Sequence, residues 1–219
     1  MPKPTIKENV PSEPKKILSE SEEQELEIME LLSPKRHIDL KIEEALDGFD
    51  KPFSAILLMP KDQYELRYAR LVKHFLNNGE KGVCVTVNKS SFDLDKVLDR
   101  EGIERENLVY VDAVTEMIDS VKLKGKQAVY LESPSDLVDL SIAIEKAVKK
   151  LGIGKKFVIV DSLTTLLVYN NEESVEKFTH ALSQKIGDWE IQGIFLATDS
   201  TSKEFIDTLS QFCDKVSSI

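Results

Sequence analysis

No run of about 18 apolar residues occurs anywhere in the 219 residues, so no segment is built to cross a bilayer as a helix. The amino terminus also lacks the apolar core of a secretory signal, and the expected location is the cytoplasm, with no membrane contact. Cysteine is scarce: Cys84 and Cys213 are far apart in sequence, without the close spacing of a metal site or a disulfide framework, and buried free thiols are expected. The three histidines, His37, His74 and His180, share no i, i+3 or i, i+4 spacing with ligand-type residues on expected strand ends, so no metal site is expected. Positive charge is in deficit as well. Twenty-nine Lys and Arg against 39 Asp and Glu give a net charge of −10, which opposes capture of phosphate backbones or anionic lipid and argues against a nucleic-acid partner. There is no internal repeat, and no G-x-S-x-G elbow to expose a nucleophilic serine such as Ser162 to His180.

What is present divides at about residue 35. Residues 1–35 read as a flexible arm carrying a short helix. Met1 to about Ser19 holds four prolines and few large apolar side chains, too little to offset the entropy of ordering. Ser19 to Leu32, SESEEQELEIMELL, brings Leu26, Met29 and Leu32 together at helical spacing on a strongly acidic segment. This amphipathic face packs on its own domain or docks on a partner, and Pro34 marks its end. Residues 36–219, with 41% hydrophobic residues in the chain as a whole, are enough for one sizeable core.

From Asp50 onward short apolar runs alternate with segments of helical period, the pattern of a parallel sheet with crossover helices. Strands are expected at Ser54 to Met59, Gly82 to Val87, Leu108 to Val111, Phe157 to Asp161, Gly193 to Thr198 and Lys215 to Ile219. Helices are expected at about Gln63 to Asn77, Phe92 to Arg100, Ser135 to Leu151, Glu172 to Ile186 and Lys203 to Phe212. The runs FVIVD and GIFLAT are almost wholly apolar, as in strands covered by helices on both faces. Gly79, Gly102 and Gly152 fall where helices should stop. The hydroxyl-rich stretch Thr198 to Ser202 offers ligand contacts or, more simply, the cap of the helix that starts at Lys203.

In open parallel sheets ligands sit at the carboxyl ends of the strands. There Phe157 to Asp161 ends in an aspartate followed by Ser162. In P-loop ATPases such an aspartate holds Mg²⁺ through water, because a hard cation takes oxygen ligands, although Asp also simply favours the turn after a strand. The run VIVDSLTTLLVYN resembles the Walker B region of the RecA superfamily, in its archaeal and cyanobacterial KaiC-like branch. The segment from Ser54 through the Gly79 to Gly82 turn to Ile103 resembles the opening of that branch, and IQGIFLATDS and FCDKVSSI its late strands, so that Ser54 to Ile219 is covered. The resemblance implies a three-layer RecA-like α/β fold with a mainly parallel central sheet.

The departures from that family bear on chemistry. A P-loop needs GxxxxGK[ST] between the first strand and helix, so that backbone N–H groups can wrap the phosphates. Here the connection runs from Pro60 to Tyr68 without glycine, and it carries Asp62 and Glu65, whose charge opposes a triphosphate. Counting from the strand puts Leu66 and Arg67 at the Lys and Ser/Thr places; counting back from Phe75 puts Tyr68 and Ala69 there. The glutamate that KaiC-like ATPases place after the second strand is replaced by Val87-Asn88-Lys89-Ser90, which offers no base. Gly152 to Lys156 precedes a strand and so reads as a helix-to-strand turn.

The expectation is therefore a pseudo-ATPase with no catalytic residues, no metal and no cofactor, acting as a regulatory or scaffolding module on a protein partner or on its own copies. The alternative is a nucleotide-binding switch without efficient hydrolysis. In that reading Asp161 and Ser162, as a Walker B remnant, and Lys61 and Arg67, in the degenerate loop, would hold ATP and Mg²⁺.

Overall fold

Among the described residues seven strands build one sheet in which every pairing is parallel. They are β1 Phe53–Met59, β2 Lys81–Thr86, β3 Leu108–Asp112, β4 Ala128–Tyr130, β5 Lys156–Asp161, β6 Gln192–Thr198 and β7 Lys215–Ser218, in the order β4-β3-β2-β5-β6-β1-β7. A computed structural model describes residues 33–48, 52–117 and 127–219. The chain partitions between His37 and Ile38 into two units; of the first only residues 33–37 are described, and the sheet belongs to the second, Ile38–Ile219. The acidic segment with Leu26, Met29 and Leu32 lies outside the described residues.

Helices among the described residues are α1 Pro34–Leu46, α2 Tyr64–Asn77, α3 Ser91–Arg100, α4 Leu137–Lys150, α5 Leu163–Tyr169, α6 Glu172–Asp188 and α7 Lys203–Leu209. None is long and apolar enough to cross a membrane. The five expected helices are all found, and α1 and α5 are added. Pro34 opens α1 because a proline fits the first helical position, where its missing N–H bonds nothing in any case. Ser33 Oγ accepts from the Arg36 N–H at 3.1 Å and caps that start. The six expected strands are found, and β4, three residues long, is the seventh.

Alternation along each strand sends side chains into two cores. On one face Ile56, Val83, Val85, Val158 and Val160 pack under α4, α6 and α7. On the other, Ala55, Leu57, Cys84 and Ile159 pack with α2, α3 and the stripe Ile38, Ile42 and Ala45 of α1. The Phe75 and Phe157 rings stack there with centroids 4.6 Å apart. Gly82 lets Phe157 approach: a Cβ at that position would meet its ring at 2.1 Å. Helices stop at Gly79, Gly102 and Gly152, each with positive φ, and Ser202 Oγ caps α7 by accepting from the Phe205 N–H at 3.2 Å. Both thiols are free: burial pushes Cys84 up to about 12 and Cys213 up to about 11.

Candidate functional site at the strand ends

Parallel strands all point their carboxyl ends the same way, so β1, β2, β5 and β6 deliver Pro60, Val87, Ser162 and Asp199 to one rim. A cavity of about 680 Å³ opens there, bounded by the β1–α2 turn, Asn88 and Lys89 after β2, α3, and the hydroxyls of Ser162, Thr164, Thr165 and Thr198.

Asp161 ends β5 at only 1% exposure. Its Oδ1 accepts from the Tyr64 phenol at 2.5 Å. Burial pushes the Asp161 carboxyl up to about 6, against the opposing pull of the Tyr64 bond and the nearby Lys89 charge. Burial, and then the Asp161 charge, hold the Tyr64 phenol well above its ordinary range. Tyr64 is thus a fixed donor at any ordinary pH. Ser162 comes next across a cis peptide and has its hydroxyl engaged with α5: Oγ accepts from the Thr165 N–H at 3.3 Å and lies 3.1 Å from Thr165 Oγ1.

The β1–α2 connection is Pro60 followed by a single 3₁₀ turn, Lys61–Gln63, without a glycine or a side-chain cap. Lys61 and Leu66 line the cavity. Arg67 does not: it is 7% exposed, and its Nη2 donates to Gln63 Oε1 at 2.7 Å. Its Nε and Nη1 have no hydrogen-bond partner among the described residues. Burial lowers the Arg67 pKa, opposed by the charge of Asp62. Tyr68 and Ala69, on the inner face of α2, are buried in the core. The sequence-selected residues therefore separate: Asp161, Ser162 and Lys61 share the rim, while Arg67 turns to Gln63.

Glu65 bridges two cations. It pairs with Lys89 Nζ and lies 3.3 Å from Arg100 Nη2 of α3. The Lys89 hydrogen bond first, and then both positive charges, hold its carboxyl below the usual range against partial burial. Across the cavity the Thr198 N–H donates to Thr164 Oγ1 at 2.9 Å, and Thr164 Oγ1 lies 2.8 Å from Thr201 Oγ1, tying α5 to the end of β6.

Sequence reasoning missed Tyr64 and the Glu65, Lys89 and Arg100 cluster. The available signal was a polar-tipped aromatic in a turn that lacks the glycines a phosphate-binding loop needs. Histidines stay apart: His180 stacks on Phe212 at 4.4 Å and His74 is 3.4 Å from the Asn78 amide. No group of three or more His, Cys, Asp or Glu among the described residues is placed to hold a metal.

Residues 56–218 match the model of a single family, described as a family of unknown function, DUF7504. The chain belongs to DUF7504. The matched span holds the entire rim, Asp161 and Tyr64 included, whereas the acidic segment at 19–32 falls outside it. No curated protein matches the chain. Among solved structures it is similar to the uncharacterised protein PH0321 from Pyrococcus horikoshii in complex with an unknown peptide: 13% identity, 81% of each chain covered, TM-score 0.62. It is also similar to the KaiC-like protein PH0186 from the hyperthermophilic archaeon Pyrococcus horikoshii OT3: 15% identity, 80% of this chain and 74% of that one covered, TM-score 0.56. At such identities the likeness is one of fold, and the fold of this DUF7504 chain is KaiC-like and RecA-like.

Proposed function

We propose that this DUF7504 chain is a non-catalytic RecA-like protein of the cytoplasm that regulates or scaffolds a protein partner and does not turn over ATP. The observation that carries the reading is the state of the strand-end aspartate. Asp161 is buried and already bonded at 2.5 Å to a phenol from the turn where a phosphate cradle would lie. Mg²⁺ and a triphosphate do not fit the residues present. The 3₁₀ turn offers no glycine backbone to wrap phosphates, and Tyr64 would have to leave Asp161 before water or a cation could reach it. Asp62 and Glu65 bring negative charge to the same rim, and Lys89 and Arg100 are already engaged with Glu65. After β2, Asn88 has no basic atom to accept a proton from water.

An interaction role is supported by what remains: a KaiC-like fold, an acidic segment with Leu26, Met29 and Leu32 on one expected face, and a fold neighbour whose structure is in complex with an unknown peptide. The net charge of −10 weighs against nucleic acid as that partner. The test is ATP hydrolysis by purified protein beside Asp161→Asn. Equal, background-level phosphate release is expected from both; release that depends on Asp161 would remove the reading.

One observation favours a second reading, a nucleotide-binding switch. The cavity of about 680 Å³ lies at the end of the sheet where such folds bind ligands, with Lys61 and four hydroxyl residues on its wall. That reading requires a rise in melting temperature with millimolar Mg-ATP, since a ligand that binds only the folded state stabilises it by mass action. An unchanged melt argues against it.

A further inference from the structure

The outward face of α4 carries exposed apolar residues and a basic end. Val138 and Ile142, one turn apart, are 70% and 43% exposed, and the exposed Lys146, Lys149 and Lys150 continue the surface towards the carboxyl end. Val168 and Tyr169, both exposed at the end of α5, extend the apolar part: Asn170, the cap of α5, donates to the carbonyl of Pro134 just before α4, at 3.1 Å. Acids on the surface are Asp136 and Asp139 at the amino-terminal end and Glu145, which pairs with Lys149 and Lys185 on the α6 side. The face is thus apolar at its start and basic at its end.

The segment Ser19 to Leu32 carries the opposite arrangement. Four of its six glutamates, Glu20, Glu22, Glu23 and Glu25, crowd its first half, and Leu26, Ile28, Met29, Leu31 and Leu32 dominate its second, with Glu27 and Glu30 between them. Laid antiparallel on α4, the glutamates meet Lys146, Lys149 and Lys150 while the leucines and Met29 meet Val138 and Ile142. Chain length decides whose segment it is. Ile38 is six residues after Leu32, a reach of at most about 22 Å, and it is packed in the core on the face of the sheet opposite α4. The sheet and the body of α4 itself lie between Ile38 and that outward face.

We infer that the acidic segment Ser19 to Leu32 of one copy docks antiparallel on the α4 face of a second copy, so that the chain associates with itself. This supplies the proposed interaction role with a surface and a partner, and it is independent of nucleotide. Part of the attraction is between exposed charges, so it weakens with salt.

Sedimentation of the full-length chain without nucleotide tests it. Wild type is expected to gain mass with concentration, and Lys146→Glu/Lys149→Glu/Lys150→Glu to weaken association by about tenfold or more, like charges now facing each other. Glu20→Lys/Glu22→Lys/Glu23→Lys is expected to weaken it equally, and the two charge-reversed chains mixed or combined in one chain to restore it. The lysines are exposed, so folding is not at risk, and circular dichroism melts confirm it. A wild-type chain that stays monomeric up to about 0.5 mM, association unchanged by the lysine reversal, or failure of the double reversal to restore it would each overturn the inference. ATP turnover in the same samples bears only on the pseudo-ATPase reading and separates the two failures.

Discussion

Replacing Asp161 by Asn should make the protein more stable at pH 8, although it alters the residue that the fold's ATPases need most. The side chain keeps its shape and its Oδ1 acceptor for the Tyr64 phenol. What it loses is a charge held in the core. Asp161 has a folded-state pKa of about 6 against an ordinary 3.8, raised mainly by burial. An acid whose pKa is raised on folding contributes stability that is present below the unfolded value and lost as pH climbs through the folded one. A shift of this size makes ionised Asp161 cost about 3 kcal/mol at pH 8 and almost nothing at pH 3.5. Asn carries no such penalty, so the gain should grow between about pH 4 and 6 and then level off. For a domain of this length the full effect corresponds to roughly 6–12 °C in melting temperature. Urea unfolding of both proteins across pH 4 to 8 measures it, and comparing the two cancels every other titrating group. An Asn variant less stable than wild type at pH 8, or a difference that ignores pH, would refute the reasoning.

The same physics sets three further outcomes. Tyr64→Phe removes the hydrogen bond to a buried carboxylate and should cost about 1.5–3 kcal/mol at pH 8 by urea unfolding, while moving the Asp161 pKa further up. Glu80 is 3% exposed and pushed up to about 7 by burial, against the charge of Lys155 and a 3.4 Å hydrogen bond from Gln192, with Oε2 unpartnered among the described residues. Glu80→Gln should therefore gain on wild type as pH rises from about 4.5 to 7, read from the slope of stability against pH. Gly82→Ala places a methyl 2.1 Å from the Phe157 ring and should destabilise by about 1–3 kcal/mol in thermal melts, or prevent folding.

The sheet was legible because its strands are apolar runs separated by helices whose ends carry a glycine stop or a capping hydroxyl, signals set by local chemistry. The Ser202 cap and the stop at Gly152 are of that kind. The short element β4 was not legible: three partly buried residues at a sheet edge carry no period. Helix α5 was hidden because its seven residues are too few to show a helical period, and its start is fixed by one serine hydroxyl. At the rim, composition told that glycine was missing from the turn but not what stands in its place. That Tyr64 reaches Asp161, 97 residues on, is a product of tertiary packing and has no signature along the chain. For the same reason Arg67, attractive on the sequence as a phosphate ligand, turns to Gln63 four residues back.

The most direct measurement is an NMR titration of the Asp161 side-chain carboxyl carbon, with and without Mg-ATP at about 5 mM, a concentration that would register even weak binding to the folded state. A midpoint near 6 that rises in Tyr64→Phe and ignores Mg-ATP is the result expected of an aspartate held by its own chain. A midpoint that Mg-ATP drives sharply down, with the Tyr64 phenol released, would contradict the account.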